Sequence, residues 1–557
     1  MTSPMSCAIS FFCRLDERKG RPVFAHPPAL IQMSDQKENV AQSATLVSSA
    51  TFVSRVFGLV REQVFAFLFG AGFATDAFVA AFRIPNLLRD LFAEGALSAA
   101  FVPVFTDYLV NKDRKEAFRL GNLVMNGLLV VLSGVVLVGI LATPLVVDLI
   151  APGFSAIPGK SELTALLARV MFPFLLLVSM AAVAMGMLNS LRHFGVPAFA
   201  PVLFNLGMIL AGFLICPFFE ERIIGMAIGV LLGGLGQWAF QLPSLRREGY
   251  QYKPVLSFRD PGVRRIMVLM TPAILGLAST QINIFVNTVI ASLLPQGSPS
   301  YLNYSFRLMH FPLGVFGVAV ATVTLPMVAT YAAKKDITNV LSTCASSLKL
   351  VFFLTLPSIF YLAAAAKPII AVLYQHGKFT YMDTIFTSQA LLFYALGLFA
   401  YASVRVIAPV FYSLGDTKTP VKVSVLAVAV NIALNLALMR PLGFRGLALA
   451  TSLAAMVNMF SLMFLLERRV GHLNLADLAV SFGKILGCSA LLGAILLGFQ
   501  RIYPLNLGTA ALPPKIFYLL ALTLLAGGSY VLVSYLLKIR ELSLITGIVR
   551  KKKPNRS

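Results

Sequence analysis

Fourteen apolar runs, each near the 20 or so residues that cross a ~30 Å hydrocarbon core, leave this chain few folds to choose from. They fall at 42–69, 76–109, 119–149, 162–190, 198–217, 223–243, 265–294, 300–332, 339–365, 385–414, 420–439, 444–466, 478–499 and 515–537. Backbone in lipid must satisfy its own N–H and C=O groups, so only helix bundles and closed barrels span. Runs of this length select helices over the shorter alternating segments of a barrel. The chain reads as an all-α polytopic membrane protein with about 14 transmembrane helices. Composition agrees: 58% of 557 residues are hydrophobic and 12% charged, against about 25% charged in soluble domains. The second and eighth runs exceed one bilayer, which predicts tilt, a break or an extension. Pro85 and Pro103 would kink the second.

The formal net charge of +23 is spread among the apolar runs. That pattern fits basic cytoplasmic loops and argues against a nucleic-acid partner, which would meet one basic face. Basic residues are about three times as frequent on one set of loops and the tail as on the other. Both termini are therefore expected in the cytoplasm. Residues 1–38 read as a tail, with 1–32 either an over-extended start or disordered. Its apolar run Cys7–Cys13 is too short to span, and its basic residues follow that run instead of preceding it, unlike a signal peptide. The five cysteines lack metal-ligand spacing, so neither a disulfide framework nor a metal site is expected.

The longest cytoplasmic connection, 244–264, follows six runs and divides the chain. Pro103 and Tyr108 recur as Pro326 and Tyr331, and Ser190, Leu191 and Pro197 recur as Ser413, Leu414 and Pro420, both at an offset of 223. With one residue of slippage, Phe82-Arg83 pairs with Phe306-Arg307. This predicts two six-helix lobes, 39–243 and 265–466, related by a parallel repeat. Residues 467–540 hold two extra helices, and 541–557 form a basic tail.

Ionisable side chains at membrane depth are unfavourable by roughly 2.5–3.5 kcal/mol each at a helix centre, yet 54–103 carries eight. Arg83, Asn86, Asp90 and Glu94 form one stripe at helical spacing, Arg89 points elsewhere, and Arg55 shares a face with Glu62. Two readings stand side by side. Arg55, Arg61, Arg83 and Arg89 could pair internally with Glu62, Asp76, Asp90 and Glu94. Alternatively, some acids orient arginines while Arg55, Arg61, Arg89 and Arg307 face an anionic ligand, since guanidinium forks suit phosphate oxygens. Arg405 reads as bundle glue and His310 as a packing histidine or a titrating cavity group. Asn431, Asn435 and Asn458 read as interhelical hydrogen-bonding amides. No Walker A, HExxH or GxSxG motif appears in a suitable setting, so no enzyme, cofactor or ATP-driven pump is expected.

The segments SRVFGLVRE (54–62), GAGFATDAFVAAFRIPNLLRDLFAEGALSAAFVPVF (70–105), APGF (151–154), PAFAPVLFN (197–205), QHGKFT (375–380) and FYSLGDTKTPVK (411–422) resemble the MurJ (MviN) lipid II flippases. The similarity runs through 42–540 and is most specific over 54–105. It implies a member of the multidrug/oligosaccharidyl-lipid/polysaccharide exporter superfamily, with two lobes around a cavity and a groove on the last two helices for the polyprenyl tail. The implied cargo is lipid II, the undecaprenyl-diphosphate-linked peptidoglycan precursor. The implied cavity residues are Arg55, Arg61, Arg89, Arg307 and Asn86, with acids Glu62, Asp76 and Glu94; Arg83, Asp90, His310 and Arg405 are secondary candidates.

The chain departs from the pattern where relatives place acids around the eighth-helix arginine: here stand Phe306 and His310. The partner of Arg307 is left open. The seventh run has no acid, so sodium coupling through one there is not expected. Alternating access is the expected mechanism, with lipid II, membrane lipids and cell-wall synthesis proteins as partners. The alternatives are an ion-coupled exporter of drugs or other polyprenyl-linked sugars, and a scaffold for cell-wall enzymes.

Overall fold

The computed structural model describes residues 28–90, 95–471 and 473–543, with side chains from 46 onward except at 273 and 275–280. Residues 1–27 and 544–557 of the expected tails, and Glu94, lie outside the described residues. Among the described residues every regular element is helical. In order they are α1 (Pro28–Phe69), α2 (Phe73–Arg89), α3 (Ala96–Asn111), α4 (Arg114–Leu141), α5 (Thr143–Ile150), α6 (Lys160–Met171), α7 (Phe174–Ser190), α8 (Gly195–Leu214), α9 (Ile223–Ala239) and α10 (Leu242–Arg247). The second half continues with α11 (Pro261–Ser292), α12 (Ser298–Pro312), α13 (Val318–Ala333), α14 (Ile337–Ala364), α15 (Ala366–Leu373), α16 (Tyr381–Ala395), α17 (Leu398–Ser413), α18 (Lys418–Leu442), α19 (Phe444–Val470), α20 (Leu475–Ile502) and α21 (Leu512–Leu536). Helix α1 begins inside the segment read as a tail.

Among the described residues, all fourteen apolar runs fall largely on helix. Among the described residues, eleven helices, some continued across a shallow break, are long and apolar enough to cross a membrane. Length and hydropathy therefore do not by themselves establish fourteen spans. The first run falls short because α1 carries Arg55, Arg61 and Glu62. The second is split into α2 and α3, of 17 and 16 residues.

The two over-long runs are both broken. Asp90 and Gly95 lie in widened, π-type turns between α2 and α3, and Leu313–Gly317 form another between α12 and α13. Asp90 and Leu313 are 223 positions apart, the offset of the sequence echoes. At the second site Pro312 has no N–H to give the preceding turn, which loosens the ladder there.

Helices α1–α10 pack chiefly among themselves, as do α11–α19, and the halves meet mainly where α3 lies on α11 and α2 on α12. Helices α20 and α21 pack on α14, α15 and each other. Phe517, Leu524 and Tyr535 on α21 are exposed, as a lipid-facing helix requires. The connection after α10 is strapped to α4: Asn122 donates to Gln251 O at 2.9 Å, and Asn126 to Lys253 O at 2.8 Å and Val255 O at 2.9 Å. Tyr250 and Tyr252 hydroxyls donate back to those asparagines.

Candidate functional site

A cavity of about 600 Å³, including the open space at its mouth, lies between the halves. Arg61, Glu62 and Phe65 reach it from α1, Phe78, Val79, Phe82, Arg83 and Asn86 from α2, Met208 from α8, and Asn303 and Arg307 from α12. Three guanidiniums thus face one carboxylate. Glu62 Oε1 accepts from Arg61 Nη2 at 2.6 Å and sits 3.2 Å from Arg307 Nη1, so a single oxygen ties α1 to the other half. Arg61 is buried and also lies over the Phe204 ring at 5.7 Å. The Arg307 side chain keeps 42% of its exposure, so donors remain free to turn toward a ligand. This answers the question left by Phe306 and His310: the acid beside Arg307 comes from α1.

Other expected residues are placed differently. Arg89 is held by the neighbouring Asp90, through Nη2 at 2.9 Å and Nε at 3.2 Å, and Asp90 also accepts from Gln281 Nε2 at 3.2 Å. Arg55 is exposed on α1 and lies against Gly314 of the widened turn. A Cβ on Gly314 would come within 2.6 Å of Arg55 Nη1, so a side chain there would displace that guanidinium. His310 Nδ1 is 2.9 Å from Phe306 O and its ring packs 4.1 Å from the Phe306 ring, a packing role in this conformation. Arg405 is exposed on α17. Asn435 donates to Asn431 Oδ1 within α18 at 2.9 Å and across to Asn287 Oδ1 of α11 at 2.6 Å.

Asp76 corrects the sequence reading. It does not line the cavity in this conformation; it is 0% exposed and accepts from Lys160 Nζ at 2.9 Å, Gly297 N at 2.7 Å and Ser300 N at 3.1 Å. The reason is position: it stands in the first turn of α2, at the end of the bundle, not at mid-depth. Further bonds close the same end. Lys378 N donates to Phe67 O at 2.9 Å, Tyr304 Oη to Gly70 O at 3.1 Å, and Gly153 N to Ser292 Oγ at 3.3 Å. Gly70 has φ +67°, and a Cβ there would meet Lys378 O at 2.5 Å.

Sequence reasoning missed Lys160 and Asn303. Asn303 precedes Arg307 by one helical turn, so it shares its face and could have been found. Lys160 left no local signal, since its partner lies 84 residues away. Among the described residues no cluster of histidine, cysteine, aspartate and glutamate could hold a metal ion.

Residues 65–518 match the family model described as lipid II flippase MurJ. A probable lipid II flippase MurJ of Vibrio cholerae is 41% identical over 429 residues, 76% of this chain and 82% of that protein. A solved structure of lipid II flippase MurJ in an inward closed conformation superposes with TM-score 0.74 at 28% identity, over 88% of this chain and 98% of that one. An inward-facing multidrug resistance MATE family transporter shares the fold, with TM-score 0.64 at 15% identity over 77% of this chain and 98% of its own. The chain belongs to the MurJ lipid II flippase family.

Proposed function

We propose that this protein is a transporter that moves lipid II, the undecaprenyl-diphosphate-linked peptidoglycan precursor, from the cytoplasmic to the periplasmic leaflet by alternating access. The observation that carries this reading is the cavity between the halves, where Arg61, Arg83 and Arg307 face the single acid Glu62. A surplus of guanidiniums suits a diphosphate, whose oxygens take paired N–H donors. A cation exporter would need the opposite balance.

In this reading the linker end and both termini face the cytoplasm, as the basic loops require, and the Asp76 end faces the periplasm. The bonds around Asp76 then make this a periplasm-closed state. Arg61, Arg307 and Asn86 meet the diphosphate and sugars first, and Arg55 and Arg89 join as the lobes rock about the parallel repeat. Glu62 holds Arg61 and Arg307 in the empty carrier and yields them to the incoming diphosphate. The polyprenyl tail stays in lipid against α20 and α21, where Gly527, Gly528, Val531, Leu532, Tyr535 and Leu542 line an apolar groove. Cell-wall synthesis proteins would meet the basic loops of the linker end.

The test changes Arg55, Arg89 and Arg307 singly to Ala and measures the appearance of lipid II in the outer leaflet of cells relying on this protein. Each change is expected to lower it at least tenfold at equal membrane abundance, about the effect of 1.4 kcal/mol. Normal transport by all three variants would overturn the cavity assignment. Failure of the unaltered protein to rescue cells depleted of their own flippase would overturn the cargo.

A further inference from the structure

Helix α12 begins without a cap of its own. Its N-cap residue is Gly297, which has no side chain to accept the free N–H groups of the first turn. The acceptor arrives from the other half of the molecule. Asp76 Oδ2 takes Gly297 N at 2.7 Å, while Oδ1 takes Ser300 N at 3.1 Å and Ser300 Oγ at 2.5 Å. This is the hydrogen-bond pattern of a helix N-cap, made in trans, with a negative charge placed where the helix dipole favours it. The carboxylate is itself held. Lys160, the first residue of α6, donates Nζ to Asp76 Oδ2 at 2.9 Å and lies 4.3 Å from the Phe154 ring centre. Lys160 is 1% exposed and Asp76 0%. Parting so dry a pair leaves an unpaired ion in a buried site. The capped helix also carries Asn303 and Arg307 into the cavity. Ser298 and Arg307 are about 13 Å apart along it, so the capped end and the cavity arginine move as one rod.

We propose that Lys160 is a positioning residue for transport: it holds Asp76 as the trans cap of α12, and release of that cap frees α12, with Arg307, when the Asp76 end opens. The direction of opening rests on the flippase reading; the cap does not.

The test uses the full-length protein in membranes, with Val79→Cys as a cavity reporter and an impermeant charged thiol reagent added to each face in turn. Lys160→Met leaves the Asp76 charge without its partner. It is expected to raise periplasmic-face labelling at least about tenfold, while Lys160→Arg stays within about threefold of the parent. Labelling at the parent rate in Lys160→Met would overturn the proposal. Exchanging the two, Asp76→Lys with Lys160→Asp, restores a pair but puts a cation at the helix N-terminus, so labelling is expected to stay high. Parent-like labelling in the exchange would overturn the cap and leave a plain ion pair. If Lys160→Met does not accumulate, Ser300→Ala, which removes one of the cap bonds, is expected to raise labelling about threefold; no change there would also overturn the cap. Since labelling reads the end and not the cargo, a shift with no lipid II binding would overturn the flippase reading and support the cap. A shift seen only from the cytoplasmic face would reverse the orientation and support the cap equally.

Discussion

Two ionic clusters join the same two halves of this molecule, and they are built to opposite ends. Around Asp76 the charges cancel, both partners are dry, and the carboxylate accepts four hydrogen bonds. Around Glu62 two guanidiniums share one carboxylate, a third from Arg83 lines the same cavity, and the arginine from the far half is 42% exposed. The chemistry is the same; water and charge balance differ. A buried, balanced pair resists separation because parting it leaves an unpaired ion in a dry site. A half-exposed, unbalanced one gives way readily and keeps donors for an incoming anion.

The largest effect is expected at the dry cluster. Asp76→Ala strands Lys160 and should lower the thermal stability of the purified protein by about 3–5 kcal/mol. Glu62→Gln should come next, at about 1.5–3 kcal/mol, because the buried Arg61 loses its charged acceptor; a filter-binding assay should show diphosphate held more tightly once this competitor is gone. Arg307→Ala should change stability by no more than about 1 kcal/mol while transport is lost. An Arg307→Ala protein as unstable as Asp76→Ala would break the contrast. Outside both clusters, Asn435→Leu removes one hydrogen bond to α11 and one within α18 and should destabilise by about 1 kcal/mol, read by urea unfolding in micelles.

The smallest effect concerns pH. Arg114 and His193 both bond Glu248, in the connection after α10, and the Arg114 hydrogen bond above all holds its carboxyl below the usual range. A depressed folded value means the tie is complete above the ordinary carboxylate value of about 4 and fades as pH falls through the folded one. The protection factors of the amides at 191–194 against hydrogen exchange should therefore fall in acid, and Glu248→Gln should flatten that response.

The helices were legible because apolar length is a local property, and the two breaks because excess length flagged both runs. The arginines and Glu62 announced themselves as charges where lipid tolerates few. What failed was any reading that needed the partner. Adjacent residues do not face each other on a helix, so the stripe argument set Arg89 apart from Asp90, while the internal-pairing reading put Arg61 and Arg89 with Glu62 and Asp90 among four bases and four acids without matching them. The long arginine side chains fold back and make both pairs. Asp76 looked like a cavity acid because sequence gives its depth along the chain, not in the bundle. Its ligands come from 84 to 224 residues away.

The strap on α4 sets a leash on the moving parts. With Asn126 holding Val255 O, only the stretch from Val255 to Pro261 is free to pay out before α11 begins. Six residues reach at most about 20 Å when fully drawn. While the strap stays docked, the near end of α11 cannot travel farther than that from its anchor, whatever the far end does. The stroke of the machine is thereby limited at one end by a length of chain, and lengthening that stretch with glycine and serine is the direct way to loosen it.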